Sequence, residues 1–545
     1  MNSKVRLIPL GGLGEIGKNM TCIEYDDEII LIDCGIMFPE NDMLGIDYII
    51  PDYNYLMDKL DRIKAVLFTH GHEDHVGAVT HLMQDVSAPI YATPLTAGLL
   101  RVKLKRASLL GQTTIHEIQA GDTLNIGQFM IEPFHMAHSI PDCVGFGITT
   151  PAGLIVHSGD YKFDHTPVDG WPPDFAKLAE FSQRGVLCLL ADSTNATRRG
   201  WTQSETLITE AMDEVFEDAN GRIIVATFAS LISRIQQVGD AAIKSGRKMA
   251  VVGRSMKDNV RMALEMGYLD LPDDLIVDLD IARKMPASKI VYMVTGSQGE
   301  PTSVVGRLAW NRSRSLTLEP GDTVVLSAHT IPGNEETVTR IINRLFHLGA
   351  NVVYDDLTNV HVSGHASREE MKLLINLVKP KYLIPVHGEL RHLTAHARLA
   401  YDLGIPEENV AIIENGTPIE MDANGIEIQE RLKGGYIYID GSGEMGDVTR
   451  RVLRDRERLA DSGFFVMGVP VNGRNIPGEV EFITRGFLNL EDELYDGTEK
   501  VIRETVQRHG AKKSGDKLAR VIEETVIRYL HEETGKRPFV FVILK

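Results

Sequence analysis

The six residues His70–His75 read HGHEDH and close the apolar run Ala65–Thr69, AVLFT. Three imidazoles and one aspartate in so short a stretch can give His70 and His72 to one divalent ion and Asp74 and His75 to a second. Neutral imidazole and carboxylate are the donors that suit zinc or manganese. Alternate residues of an extended loop point the same way, so His70 and His72 can share an ion. From His75 onward Val76, Val79, Leu82 and Met83 recur at helical spacing. The stretch therefore predicts strand, ligand loop, helix, and the rest of the chain is read for the donors such a site still lacks.

At 545 residues the chain exceeds one core and implies two to four domains. Hydrophobic content of 43% and charged content of 24% are those of a globular protein. No apolar run reaches the ~18 residues of a membrane helix, and the opening MNSKVRLIPLGG lacks the long apolar segment of a secretory signal. A cytoplasmic protein with no membrane partner is expected. Cys22, Cys34, Cys143 and Cys188 lie scattered in or beside apolar runs, as small buried hydrophobes in a reducing compartment do. The net charge of -19 argues against a nucleic-acid partner only weakly, since phosphate binding depends on local charge and bound metal.

The strand-like run Val5–Leu10 leads into GGLGEIGKN, where Gly12, Gly14 and Gly17 spell G-x-G-x-x-G. A dinucleotide fingerprint requires a helix next; here MTCIEY and IILIDCG read as strands, so the glycines are assigned to a tight turn. Asp33 ends the second of these strands among apolar residues, a place where a carboxylate must be paired, and is expected to orient a metal-binding histidine. The helix from Thr96 carries Arg101, Lys103, Lys105 and Arg106, a set that fits a phosphate-tracking face or a solvated one. His135 and His138 follow another strand, Asp160 ends the next in GLIVHSGDYKFD, and Asp192 ends GVLCLLADSTNA. Asp160 is placed to bridge two ions.

From about Glu205 to Leu357 helical patterns alternate with strands, a doubly wound α/β pattern whose strand ends carry Phe228 to Ser230, Gly253 to Ser255, Gly296 to Gly299 and Ser327 to His329. Ligand candidates resume afterwards in HVSGHAS, His361 to Ser367, and at His387 in YLIPVHGE, so this stretch interrupts the first domain. Ser363, Gly364 and Ala366 near a helix start offer amides to an anion, and His365 among them could protonate a leaving oxygen. His392 and His396 are read as structural. The expected division is 1–204 and 358–433 for the metal-binding domain, 205–357 for the insertion, 434–455 for a glycine-rich and then charged linker, and 456–545 for a small α/β domain that dimerises or guides substrate.

Taken together, GGLGEIGKN, LIDCG, FTHGHEDHVGA, HSIPD, SGDYKFD, ADSTNA, TGSQGEP, IPGNE, HVSGHAS and PVHGE resemble, in order and over essentially the full length, the blocks of the ribonuclease J family, in the β-CASP branch of the metallo-β-lactamase superfamily. The resemblance implies an αββα sandwich with an inserted β-CASP α/β domain and a C-terminal α/β domain. It implies that His70, His72 and His138 hold one Zn2+ and Asp74, His75 and His387 another, with Asp160 bridging, Mn2+ or Mg2+ being alternative metals. Asp33 would be the superfamily's first-motif aspartate. Asp192, His365 and His387 would be the three β-CASP signatures, and Asp74, His365, Asp192 and Asp33 the catalytic set. Substrate contacts would come from Phe228, Ala229, Ser230, Arg234, Ser327 and His329, and from the phosphate loop His361, Val362, Ser363, Gly364 and His365. Where the family has FAS followed by Asn or His and then His-Arg, this chain has Leu231, Ile232, Ser233 and Arg234. Asp47 and Asp440 fall where some relatives bind a structural Ca2+.

The activity implied is two-metal hydrolysis of single-stranded RNA, 5'-to-3' exonucleolytic and endonucleolytic, in RNA maturation and decay, by a homodimer or homotetramer working with other RNA-decay proteins. A β-CASP nuclease acting on DNA and a non-catalytic RNA-binding scaffold subunit are the alternatives. Glyoxalase II, lactonase and alkylsulfatase relatives share H-x-H-x-D-H but lack the insertion and HVSGHAS.

Overall fold

The structure, a computed structural model, describes residues 4–40, 42–300, 303–330, 334–355, 358, 360–441, 448–488, 492–513 and 515–545. Pro301 of TGSQGEP, Ile331 to Gly333 of IPGNE, the boundary at Leu357 and Ser442 to Asp447 of the expected linker lie outside the described residues. The chain divides into two compact units, Met1–Phe38 with Tyr48–Ile437, and Pro39–Asp47 with Tyr438–Lys545.

In the first unit two sheets pack back to back. Val5–Gly11, Met20–Tyr25, Glu28–Ile32, Ile63–Leu67, Ile90–Ala92 and Ile115–Glu117 run in that order through an eight-stranded sheet completed by Ile419–Met421 and Ile426–Ile428. The facing six-stranded sheet has the order Tyr382–Val386, Val186–Asp192, Gly153–His157, Val144–Thr150, Phe129–His135, Leu124–Ile126. Their inner faces share one core of Ile30, Ile32 and Leu67 against Phe146, Ile155, Leu190 and Ile384. Helices Phe175–Arg184, Arg368–Val378 and Leu390–Asp402 cover the outer face of the second sheet through Phe181, Leu374 and Leu399. Gly12, Gly14 and Gly17 all have positive φ (87°, 81° and 104°) between two antiparallel strands, the turn expected of them. The helical periodicity after HGHEDH resolves into two short helices, Glu73–Val76 and Val79–Asp85.

Strands Glu28–Ile32 and Ile63–Leu67 pair in parallel, Ile32 opposite Leu67, so Asp33 and the HGHEDH loop leave the sheet side by side. In the second sheet Val186–Asp192 pairs in parallel with Tyr382–Val386, Asp192 opposite Val386, which sets Asp192 and His387 together. Everything between those two strands is therefore a crossover connection, of which Arg368–Val378 is the final helix.

Within that crossover lies a wholly parallel five-stranded sheet. Its order is Lys248–Val251, Ile290–Val294, Ile223–Ala226, Thr323–Leu326, Asn351–Val353. Helices cover both faces, with Met212, Ile235 and Met256 packed on one side and Val305, Leu308 and Ile341 on the other. Leu95, Leu99 and Ile140 of the metal-binding domain join the first of these clusters. In the second unit, sheet Glu481–Arg485, Phe464–Val469, Phe539–Leu544 buries Phe465 and Met467 against Ile502, Val506, Ile522 and Val526 of helices Asp492–His509 and Asp516–Thr534. The charged run that begins in the expected linker forms helix Arg450–Ser462. No helix among the described residues is long and apolar enough to cross a membrane.

Candidate metal centre

Three strand ends of the two sheets and one loop deliver the seven expected donors to one place. His70, His72 and His138 form one group and Asp74, His75, Asp160 and His387 a second, all donor atoms within each lying inside 4.8 Å of one another. In the first group His72 Nδ1 is 3.1 Å from both His70 Nε2 and His138 Nε2. Around the second, His75 Nε2 is 3.5 Å and His387 Nε2 3.4 Å from Asp74 Oδ2. Asp160 Oδ2 stands between the groups, 3.1 Å from His75 Nε2, 3.6 Å from His70 Nε2 and 3.7 Å from His138 Nε2. Donors ~2.05 Å from a common tetrahedral ion are about 3.3 Å apart, so these separations are those between ligands of a shared ion, and Asp160, Asp192, His365 and His387 form a third, overlapping group of the same kind.

The surrounding groups turn each ring the right way. Asp33 Oδ2 accepts from His75 Nδ1 at 2.8 Å while its other oxygen accepts from the Thr69 amide, which leaves His75 Nε2 for the centre. The carbonyl of Gly364 accepts from His138 Nδ1 at 2.7 Å. A Cβ on Gly364 would lie 2.5 Å from that ring, so the phosphate-loop glycine is required here for close approach to a metal-ligand candidate. His387 Nε2 is buried with no hydrogen-bond partner. An orphaned buried nitrogen costs roughly 1–3 kcal/mol unless something meets it, and a cation beside Asp74 would.

Burial is the main reason that His70 and His138 are held well below the usual imidazole range and His72 falls to about 4. These three are neutral, the ligating form. Burial also pulls on His75 and His387, but the carboxylates prevail: Asp160, Asp74 and Asp33 raise the first, and Asp160 with Asp74 raises the second to about 10. The excess of buried carboxylate thus draws protons onto two donors where divalent ions would supply the positive charge, and the residues fit two metal ions on that ground.

Asp192 is fully buried and accepts from His365 Nδ1 at 2.7 Å. Against the pull of burial, Asp192 and Asp160 raise His365, which favours its protonated form. Asn195, one turn beyond Asp192, donates to Ser363 Oγ (2.8 Å) and to the His365 carbonyl (3.0 Å). Glu370 receives the amides of Phe163, Thr202 and Ser367. Neither Asn195 nor Glu370 was singled out from sequence; the polar residues just after the strand end in ADSTNA were the available signal for the first. His361 Nδ1 is buried without a partner, and the ring lies 6.0 Å from His329, which is 48% exposed on its side chain. Val362 is buried beside it.

Two of the expected substrate contacts are buried and hydrogen-bonded within the chain. Arg234 is 1% exposed, and its guanidinium is spent on Glu205 Oε2 (2.9 Å), Gln237 Oε1 (2.9 Å), the Val360 carbonyl (2.9 Å) and the Ser327 hydroxyl. Ser327 is fully buried and donates to the same carbonyl at 2.7 Å. Both are architecture, tying the end of strand Thr323–Leu326 to the chain's return towards His361. Phe228 and Ala229 are half-buried, Ser230 is buried, Ala229 packs on the insert's core, and its carbonyl accepts from Asn259. The basic set on helix Pro94–Arg106 is largely neutralised: Arg101 pairs with Glu117, Lys103 with Glu73 and Arg106 with Asp258. As for calcium, Asp440 accepts from Arg456 Nη2 at 2.9 Å, and no group of three donors among the described residues includes Asp47 or Asp440.

A sandwich of two sheets with a His/Asp cage at its strand ends, interrupted by a parallel α/β insert, defines a metallo-β-lactamase-superfamily hydrolase of the β-CASP type. Residues 29–225 match the beta-lactamase superfamily domain, 220–345 the ribonuclease J beta-CASP domain, 350–412 the Zn-dependent metallo-hydrolase RNA specificity domain, and 451–545 the ribonuclease J C-terminal domain. The chain is 41% identical to ribonuclease J 1 of Streptococcus pyogenes over 99% of its own length and 97% of that protein's, and 42% identical to ribonuclease J of Thermus thermophilus over 99% and 95%. It is 38% identical to ribonuclease J2 of Bacillus subtilis over 99% and 98%. A solved protein of unknown function from Enterococcus faecalis shares the fold alone, with a TM-score of 0.53 at 15% identity over 77% of this chain and 100% of that one. The chain belongs to the ribonuclease J family.

Proposed function

We propose that this protein hydrolyses phosphodiester bonds of single-stranded RNA using two zinc ions, both as a 5'-to-3' exonuclease and as an endonuclease. The convergence of His70, His72, His138, Asp74, His75, Asp160 and His387 on two adjoining cages carries the reading. When bound, two such ions supply Lewis acidity at the phosphate and a water whose pKa falls towards ~7. The chain's own groups do the rest. Asp33 and the Gly364 carbonyl fix the ring orientations of His75 and His138. Asp192 holds the Nδ1 hydrogen of His365, which leaves Nε2 to carry a proton to the departing 3' oxygen. His329, His361 and Ser363 remain as polar groups for phosphates, Arg234 and Ser327 being committed elsewhere.

The test is product analysis on 5'-triphosphate, 5'-monophosphate and 5'-hydroxyl RNA beside a matched DNA strand, with metal content measured on the same preparation. Mononucleotides released from the 5' end together with internal cuts, on RNA in preference to DNA, and about two zinc ions per chain are expected. Equal turnover of DNA, or full activity in a metal-stripped sample, would overturn the reading.

A further inference from the structure

The chain has three tryptophans, and all are exposed: Trp171 by 42%, Trp201 by 50% and Trp310 by 43%. Tryptophan is highly buried on average, so three such placements call for a reason. Two of the rings have close partners. Trp171 lies flat on His135, centroids 3.8 Å apart and planes within 6°, and the Arg344 guanidinium stands 5.5 Å from the centre of Trp310. Trp201 has only a looser ring neighbour, the exposed His165, 6.1 Å away and tilted by 41°.

The loop that presents Trp201 is held firmly. The carbonyl of Arg198 accepts from the Arg368 amide (3.0 Å) and that of Gly200 from the Glu369 amide (3.2 Å), so the loop satisfies the open end of helix Arg368–Val378. The Thr202 amide donates to Glu370 Oε2 (2.7 Å), and the Thr202 hydroxyl donates to the His365 carbonyl (2.7 Å). Trp201 is thus a single Cα step of about 3.8 Å from the residue that fixes the backbone of His365. Its exposure belongs to a fixed backbone, one residue from the hydroxyl that holds the His365 carbonyl.

Arg198 and Arg199 are exposed on the same loop. Arg198 meets a histidine, its Nη2 lying 2.8 Å from His329 Nε2, whereas Arg101, Lys103 and Arg106 of helix Pro94–Arg106 each meet an acid. In a chain of net charge -19, a polyanionic strand must be held by local cations of this kind. Stacking rings interleaved with guanidinium groups are the elements by which proteins grip single strands without reading their sequence.

We propose that the loop from Thr197 to Gln203 guides single-stranded RNA past the metal centre, Trp201 stacking on a base while Arg198 and Arg199 hold the adjoining phosphates. The inference rests on the ribonuclease reading and adds a strand contact to it. Cleavage kinetics on a long single-stranded oligoadenylate and on a dinucleotide, with the full-length zinc-loaded protein, test it. Trp201→Ala should raise KM for the long strand about 10-fold or more, with a smaller effect on the dinucleotide. Trp201→Phe, which keeps a stacking ring, should recover most of the loss, and Trp201→Leu should not. Arg199→Gln should flatten the slope of log affinity against log salt by about 0.7, the contribution of one phosphate contact on a single strand.

An unchanged KM in Trp201→Ala, equal losses on long and short substrates, or rescue by Leu as complete as by Phe would each overturn the assignment. So would a salt slope indifferent to Arg199. A wild-type protein that cleaves neither substrate sinks the ribonuclease reading itself, whereas normal wild-type cleavage with an indifferent Trp201→Ala sinks only the loop.

Discussion

His387, just past the end of a strand in the metal-binding domain, and Arg234, in the first turn of a helix of the insert, are both buried polar side chains, and they stand in opposite conditions. His387 keeps a ring nitrogen with no hydrogen-bond partner beside three carboxylates, whereas Arg234 has donors on five acceptor atoms of its own chain. Burial alone does not separate function from scaffolding. An unmet atom alone does not separate them either, since His396 Nε2 is also buried without a partner; His387 differs in that its open nitrogen faces Asp74 beside the other donors.

The contrast is broken most directly at the cage. Asp74→Ala or His75→Ala should lower kcat by at least about 10^3-fold and reduce bound zinc by elemental analysis, with far-UV circular dichroism unchanged; full turnover in either would place the chemistry elsewhere. His365→Ala should cost ~10^2 to 10^4 in kcat with a much smaller change in KM, and a pure affinity loss would remove it as the proton donor. Arg234→Ala should destabilise the protein by roughly 3–5 kcal/mol in denaturant titration, because it removes the closer of the two buried cations beside Glu205 and leaves Lys162 alone at 3.6 Å. Wild-type stability with weakened RNA binding would restore Arg234 as a substrate contact and collapse the comparison.

The gentlest test is pH. His387 is raised to about 10 in the folded metal-free chain from an ordinary 6.5, so the stability it contributes is complete below pH 6.5 and is lost as pH rises through about 10. Metal-free protein should lose melting temperature between pH 7 and 10 more than zinc-loaded protein does, and parallel curves would mean that the carboxylates are not what the ions neutralise.

The cage was legible in the sequence because four of its donors are local, and dense clusters after an apolar strand have few innocent explanations. Asp33 was legible for a related reason, a carboxylate stranded at the end of IILI. His387 is a solitary histidine, and its place at a strand end, shared with the loop position of His365, distinguishes it from His392 and His396 on the following helix; His396 Nδ1 meets Ser193. The burial of Arg234 and Ser327 is not legible locally, because it arises from residues far away in the chain, Glu205 and Val360, which no local pattern announces. The same holds for Arg101, Lys103 and Arg106, whose acids come from separate elements. In Arg450–Ser462 the density of charge conceals a helical period.

The backbone bond from Arg368 to Arg198, with that from Glu369 to Gly200, closes the point where the chain departs into the insert onto the point where it comes home. The insert is therefore a lobe on a narrow neck, and its length can change without displacing any of the seven donors, all of which lie outside it. A neck alone would let the lobe swing, but Leu95, Leu99 and Ile140 are sunk in the lobe's own core and clasp it at a second point. Leu99 and Ile140 also crowd Gly71, between His70 and His72, so the packing that clasps the lobe is continuous with the packing beneath the donor loop.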